Sequence, residues 1–538
     1  MFVNRPSVTS GQGMVAAAHP LAAAAGARVL GQGGNAFDAA VATAAALDVV
    51  EPYMSGLAGM GVATLYVSKE QRVRTLDFIP AVPARFDPGV RCDTDLVAGA
   101  HSVGPPGNLA GWLTLLDTYG SWPRDKVFAD AIDLARNGFP TTERNAAMIS
   151  SKAQSETVQD FVGWSEIFLD AGEVPGPGWV LRQPDLARTY EAISRDGAKY
   201  LYEGVLGAAL VKEIQDLGGA LSLDDLASVE ARWVEPISTN YRGLEIYTVP
   251  PPAEGFQMLL AVGLLENRDV AGFDPNGADH LDAVIRATRI SAVQRLRLAN
   301  APHQIIEDVL KEESLDGLGD LWDDSSSVNS PTEKYDSSPS IAGMPDPRRE
   351  HTTSFSIVDA SGNMICLTQS LGGAFGSGIV VRGYGVTTNN FLYWGDLDPQ
   401  SPNHLAPGAP LSLPIAPTVS MRNGIPTLAL GTPGSYGICQ TQTQALLQHV
   451  DFGLDIQRAI EAPRLRVMDG TTVHVESRVA PSVIQELCNR GHRALATDPW
   501  TMMVGGMQGV TYDPYTGGMQ GGADPRRDGY AVGVSLVS

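Results

Sequence analysis

The residues best placed for chemistry lie in His351-Thr352-Thr353-Ser354-Phe355-Ser356-Ile357-Val358-Asp359, which leads through Ala360-Ser361-Gly362-Asn363 into Met364-Ile365-Cys366-Leu367-Thr368-Gln369-Ser370. Alternation after Thr352, a turn at 359–363 and a second run through Ile365 and Leu367 predict a β-hairpin. Centred on Ser361 without a bulge, it makes Asp359 face Asn363 and Thr352 face Ser370, so a second hydroxyl stands beside Thr352. The preceding stretch, near 312–349, is polar and broken by proline, which predicts a mobile arm. Such an arm suits a Thr352 hydroxyl that attacks the His351–Thr352 peptide bond and frees its own α-amine. A threonine hydroxyl is a weak nucleophile that needs a base within reach, and an α-amine, with a reference pKa of about 8, supplies one near neutrality without a histidine. An ordinary loop-to-strand junction would place the same threonine here, and the residue types alone do not separate the two.

Wider motifs do. Residues 352–359, Phe375-Gly376-Ser377-Gly378-Ile379-Val380, residues 385–390 and Gly431-Thr432-Pro433-Gly434-Ser435 resemble the γ-glutamyltransferase family of N-terminal-nucleophile hydrolases. So do Gly33-Gly34-Asn35-Ala36-Phe37-Asp38-Ala39-Ala40-Val41-Ala42 and Gly522-Ala523-Asp524-Pro525-Arg526-Arg527. The resemblance implies an α+β fold, a four-layer αββα sandwich, and a precursor cut into a large subunit, 1–351, and a small one, 352–538. It implies Thr352 as nucleophile, Thr353 and Ser370 as the residues that hold its amine and hydroxyl, and backbone N–H groups of Gly434 and Ser435 as donors to the oxyanion. In the family this turn carries paired glycines; here the second is Ser435, which a backbone donor tolerates.

The departures from the family concern substrate recognition. The arginine expected after Asp77-Phe78, which grips an α-carboxylate in γ-glutamyl enzymes, is Ile79, so a bidentate clamp is lost. The acidic residue expected after Asn389-Asn390 is replaced within Phe391-Leu392-Tyr393-Trp394, with Asp396 two residues on. A twin-serine element before Pro417-Thr418 reads Leu413-Pro414. An amide substrate without a γ-glutamyl α-amino acid head follows, as in the acylase and amidohydrolase branch, with Ile79, Asn390, Tyr393, Trp394 and Arg382 as its contacts. Arg85, Arg382 and the pair Arg526-Arg527 remain as carboxylate partners, the last two reading as braces of the fold. One rival is a γ-glutamyl hydrolase or transpeptidase with charges relocated to Asp396 and Arg382. Another is an uncleaved binding protein without catalysis.

The totals bound the rest. Across 538 residues, 60 acidic side chains outnumber 38 basic ones, giving a net charge of -22. No Lys/Arg run forms the basic stripe that nucleic acid needs. A mean hydropathy of -0.04 and the lack of a long apolar run predict a soluble, cytoplasmic protein without a membrane span. The four cysteines show no CxxC or histidine pairing, so buried free thiols are expected and no metal or organic cofactor is implied. The partners are then a small-molecule amide and the two subunits of one precursor; whether such units pair further stays open.

Several elements must position these residues. The resemblance places the first core helix in the Ala-rich stretch 14–30, with Pro20 suited to a first turn, and Asn35 caps a second helix through Leu47. Residues 59–67 and 72–78 read as a hairpin. Helices are expected at 109–119, 125–137, 184–195, 205–217 and 280–300, which makes the large subunit mostly helical. After Thr352, strands are expected at 426–431, 473–477, 509–512 and 530–537, and helices at 441–449 and 482–490.

Overall fold

In the computed structural model, which describes residues 5–155, 161–323 and 351–535, the hairpin forms as antiparallel strands His351–Asp359 and Met364–Gly372. Its turn is closed by the Asp359 carboxylate, which accepts the N–H groups of Ser361 (2.9 Å) and Asn363 (3.0 Å). The register is as expected from Val358 opposite Met364 up to Thr353 opposite Gln369, but it slips before His351, which lies opposite Gly372. The expectation of a bulge-free hairpin is therefore corrected at Thr352, where the ladder breaks. Bulges re-aim side chains, and this one falls at the residue of interest.

All residues of both strands are buried, so the hairpin needs cover on two faces. Phe355, Ile357, Ile365 and Leu367 pack into a core shared with helices, while Val358, Met364 and Cys366 pack against a second sheet through Val419, Ala429 and Val510. The hairpin lies within a seven-stranded sheet whose order is Tyr530–Gly533, Gly13–Ala17, His351–Asp359, Met364–Gly372, Met60–Val67, Arg72–Phe78 and Arg232–Val234. The facing seven-stranded sheet runs Val8–Ser10, Met519–Ala523, Gln508–Tyr512, Ile425–Gly431, Thr418–Arg422, Leu244–Thr248 and Ile237–Tyr241. Helices Pro20–Gly31, Ala36–Val50 and Asn108–Tyr119 cover the first sheet; Phe256–Glu266, Ala278–Arg297 and Ile438–Val450 cover the second. This is the αββα sandwich.

Several expectations are corrected. The stretch 14–30 is not one helix: Gly13–Ala17 is a strand paired with the Thr352 strand, and the helix starts at Pro20. Alanines this buried serve a strand between two others as readily as a helix. The segment before His351 is richer in strand than expected, for it supplies four strands of the first sheet and three of the second. Helix 125–137 is broken at Phe128 into Arg124–Val127 and Ala129–Asn137. Strand Thr472–Glu476 belongs to a separate three-stranded sheet. Of the arm expected near 312–349, Glu312–Gly319 is helical, and 324–349 lies outside the described residues. Among the free cysteines Cys366 and Cys439 are buried, whereas Cys92 and Cys488 are exposed. Among the described residues, no helix is long and apolar enough to cross a membrane.

Candidate active site

Thr352 sits at the bulge, buried, and its Oγ1 donates to Ser370 Oγ at 3.2 Å. Ser370 Oγ donates in turn to the carbonyl oxygen of His351 at 2.7 Å and accepts the Gly372 N–H at 2.9 Å. One hydroxyl thus joins the candidate nucleophile to the carbonyl that it would attack. The carbonyl of Thr352 itself accepts from Arg527 Nη1 at 3.0 Å. Arg527 is therefore more than a brace, in contrast to its reading from the Asp-Pro-Arg-Arg context. Arg526 does brace: it pairs with Asp524 and Glu476, and Arg464 also bonds Asp524, all buried. Burial pushes the Asp524 carboxyl up, but Arg464 and Arg526 outweigh it and hold it at about 2.

The Thr353 hydroxyl bonds neither the hydroxyl nor the carbonyl of Thr352. Strand alternation turns the Thr353 side chain to the helical face, where Oγ1 donates to Glu51 Oε2 at 2.9 Å. Burial pushes the Glu51 carboxyl up to about 7 against the pull of Arg527. Glu51 escaped the sequence reading although it carried a signal, an acid directly after a buried helix, where a cation is favoured.

The turn with Gly434 and Ser435 follows strand Ile425–Gly431. A Cβ on Gly431 would lie 2.2 Å from Ser354 Oγ, and Ala429 shares the inter-sheet core with Val358. That strand therefore runs over the hairpin from Val358 toward Ser354, and its turn emerges at the Thr352 end. Packing gives the same placement, since Gly434 abuts Gly505, and the next residue, Gly506, abuts Arg527. Among the described residues, neither the Gly434 N–H nor the Ser435 N–H has a hydrogen-bond acceptor. Ser435 has φ of 56°, a left-handed conformation that costs a non-glycine residue about 1 kcal/mol.

Of the recognition candidates, Ile79, Tyr393 and Trp394 are all buried in the apolar core on the side of the second sheet, which also holds Leu405, Leu411, Leu413 and Tyr436, and the Tyr393 and Trp394 rings meet edge to face at 5.8 Å. The Trp394 ring lies 5.5 Å from that of Tyr436, the residue after Ser435, and its Nε1 would be 3.3 Å from a Cβ on Gly372. Trp394 therefore stands between the Gly434–Ser435 turn and Gly372, the partner of His351. Asn390 is buried with its amide engaged: Nδ2 donates to Val97 O (2.8 Å) and Oδ1 accepts the Gly373 N–H (2.5 Å). Arg382 is not at the site; it is largely exposed and paired with Glu213 at 3.3 Å. It follows the short strand Val380–Val381. The Asp396 carboxylate accepts from Ser401 Oγ at 2.5 Å.

A hydroxyl at the head of a central strand in an αββα sandwich, with a second hydroxyl bridging it to the preceding carbonyl, defines an N-terminal-nucleophile hydrolase. The model of the gamma-glutamyltranspeptidase family matches residues 22–534, and the chain belongs to that family. It is 31% identical to the glutathione hydrolase proenzyme of Bacillus subtilis (strain 168), covering 97% of this chain and 92% of the relative. It is also 31% identical to the acylase ACY 1 proenzyme of Pseudomonas sp. (strain V22), over 98% of this chain and 94% of that one. The crystal structure of cephalosporin acylase from Bacillus halodurans superposes with a TM-score of 0.87 at 27% identity, covering 100% of this chain and 98% of the other. The chain is an amide hydrolase of the autoprocessed kind.

Proposed function

We propose that Thr352 cuts the His351–Thr352 bond and then, as an N-terminal residue, hydrolyses an amide whose acyl part is apolar and carries no γ-glutamyl α-amino acid head. One observation carries the chemistry: the Ser370 hydroxyl is bonded both to Thr352 Oγ1 and to the His351 carbonyl. Attack by Oγ1 builds negative charge on that oxygen, and a donor already in place stabilises it without reorganisation. Collapse breaks the C–N bond and leaves an ester on Oγ1, the Thr352 nitrogen taking up the proton that Oγ1 gives up, and water then cleaves that ester to the His351 carboxylate and the free Thr352 hydroxyl. In the mature enzyme the freed amine takes the proton from Oγ1 as it attacks the substrate carbonyl. The N–H groups of Gly434 and Ser435 then receive the oxyanion; the amine leaves, and water hydrolyses the acyl ester.

The acyl side rests on where the family departures fall. Ile79, Tyr393, Trp394 and Leu413 stand where the family has polar recognition positions, and all four are buried in the same apolar core. An α-carboxylate or α-ammonium facing it would be desolvated without a partner. The relation to acylases supports this reading. The relation to glutathione hydrolases favours a γ-glutamyl substrate instead, but Arg382 and Asp396, the charges that reading needs, are held by Glu213 and Ser401.

Intact mass after incubation at neutral pH, beside Thr352→Ala, tests the first step. Two fragments divided between His351 and Thr352, absent from the variant, are expected; a chain that stays whole overturns the reading and favours a binding protein. Anilides of arylacetic and of γ-glutamic acid, compared on the mature enzyme, test the second. Faster release from the γ-glutamyl anilide would reverse the substrate assignment.

A further inference from the structure

Helix Ala36–Val50 ends at Glu51, where the negative end of the helix dipole favours a cation and disfavours a carboxylate. Glu51 is also buried, so its charge meets two penalties at once. The groups facing it come from four directions. Arg527 and Asp528 belong to the C-terminal turn, Arg144 to helix Glu143–Ala153, Tyr53 to the turn beyond the helix, and Thr353 to the central strand. Thr353 Oγ1 donates to Glu51 at 2.9 Å, and Arg527, whose charge acts on Glu51, donates to the Thr352 carbonyl at 3.0 Å.

We propose that Glu51 is a positioning residue for the nucleophile, holding the first two residues of the central strand from the helical side through Thr353 directly and through Arg527 at Thr352. The proposal rests on the reading of Thr352 as nucleophile. Cleavage turns Thr352 into a chain end, and a chain end frays unless it is tied down by groups that survive the cut. The His351 carbonyl leaves with the large subunit, whereas the Glu51–Thr353 and Arg527–Thr352 bonds remain. The same contacts aim Oγ1 in the precursor, where the bulge has removed the ladder at that residue. The clamp responds to pH: burial raises the Glu51 carboxyl to about 7, so it is charged above neutrality and discharged below.

The test needs no substrate. First-order cleavage of freshly refolded precursor is followed by intact mass from about pH 5.5 to pH 8.5 for wild type, Glu51→Gln, Thr353→Val and the double variant. Glutamine keeps an oxygen for the Thr353 hydroxyl but has no charge, and valine keeps the strand's β-branched shape. Glu51→Gln is expected to cleave about tenfold more slowly at pH 8.5 and to converge on wild type near pH 5.5, where wild-type Glu51 is itself neutral. Thr353→Val is expected to be slowed at pH 8.5, with the double variant no slower than the product of the single effects predicts. A general packing defect would slow cleavage equally at both ends of the range, and that result, or wild-type rates for both single variants, overturns the proposal. A wild-type chain that stays whole overturns the assignment of Thr352, and this proposal with it.

Discussion

At the scale of single residues, Ser370 does the most with one atom. Its Oγ accepts from Thr352 and from the Gly372 N–H, which leaves its own proton for the His351 carbonyl. A donor to a developing oxyanion is worth about 3 to 4 kcal/mol in the transition state, so Ser370→Ala should slow precursor cleavage by roughly a hundredfold or more. Ser370→Thr keeps the hydroxyl and should retain most of the rate. A time course of intact mass distinguishes the two, and an unslowed alanine variant would remove Ser370 from the mechanism.

At the scale of elements, the match between one helix and one strand decides the geometry. Helix Ala36–Val50 has 15 residues and at about 1.5 Å each spans roughly 22 Å; the six steps from Thr353 to Asp359 span about 20 Å. The helix is tied to the strand near both ends: Asp359 Oδ2 accepts the Ala36 N–H at 2.9 Å, and Glu51 accepts from Thr353. Its start is prepared locally by a capping box in which Asn35 accepts from Asp38 N and Asp38 accepts from Asn35 N. Asp359 also caps the hairpin turn and accepts from Asn363 Nδ2. Asp359→Ala would strand several donors and is expected to cost about 3 kcal/mol, measured by urea denaturation of the uncleavable Thr352→Ala chain. A loss within about 0.5 kcal/mol would mean that water replaces the carboxylate at little cost.

At the scale of the whole molecule, a buried ion network joins the end of the chain to the rest. Asp524 accepts from Arg464, Arg526 and the Met507 N–H, and Glu476 from Arg526 and Arg478. Removing one partner leaves the other charges buried, so Asp524→Asn should destabilise by about 3 to 5 kcal/mol at neutral pH. The Asp524 carboxyl is held below its unfolded value, at about 2, so its contribution is complete above about pH 4 and is lost as pH falls toward 2. The stability gap between wild type and the variant should shrink over that window. A gap that stays constant would assign the loss to packing. The network also anchors the turn that presents Arg527 to Thr352, so the variant should slow cleavage as well.

What the sequence determined by itself was local. Alternation and the Asp359–Asn363 turn specified the hairpin and all but the last step of its register, and Asn35 announced its helix, because these signals act between residues a few positions apart. The loss of recognition charge at Ile79 was equally legible, since a side chain's chemistry needs no fold to be read. Gly13–Ala17 was misplaced because a fully buried strand and a buried helix present the same run of alanines. Arg382 looked available until the fold paired it with Glu213. The contacts that orient the nucleophile were settled only by tertiary structure: Thr353 meets Glu51 across 302 residues, and Arg527 meets Thr352 across 175. No local propensity encodes which distant side chain will arrive at a strand's head; the packing of a helix of matching length and of a C-terminal turn against that strand decides it.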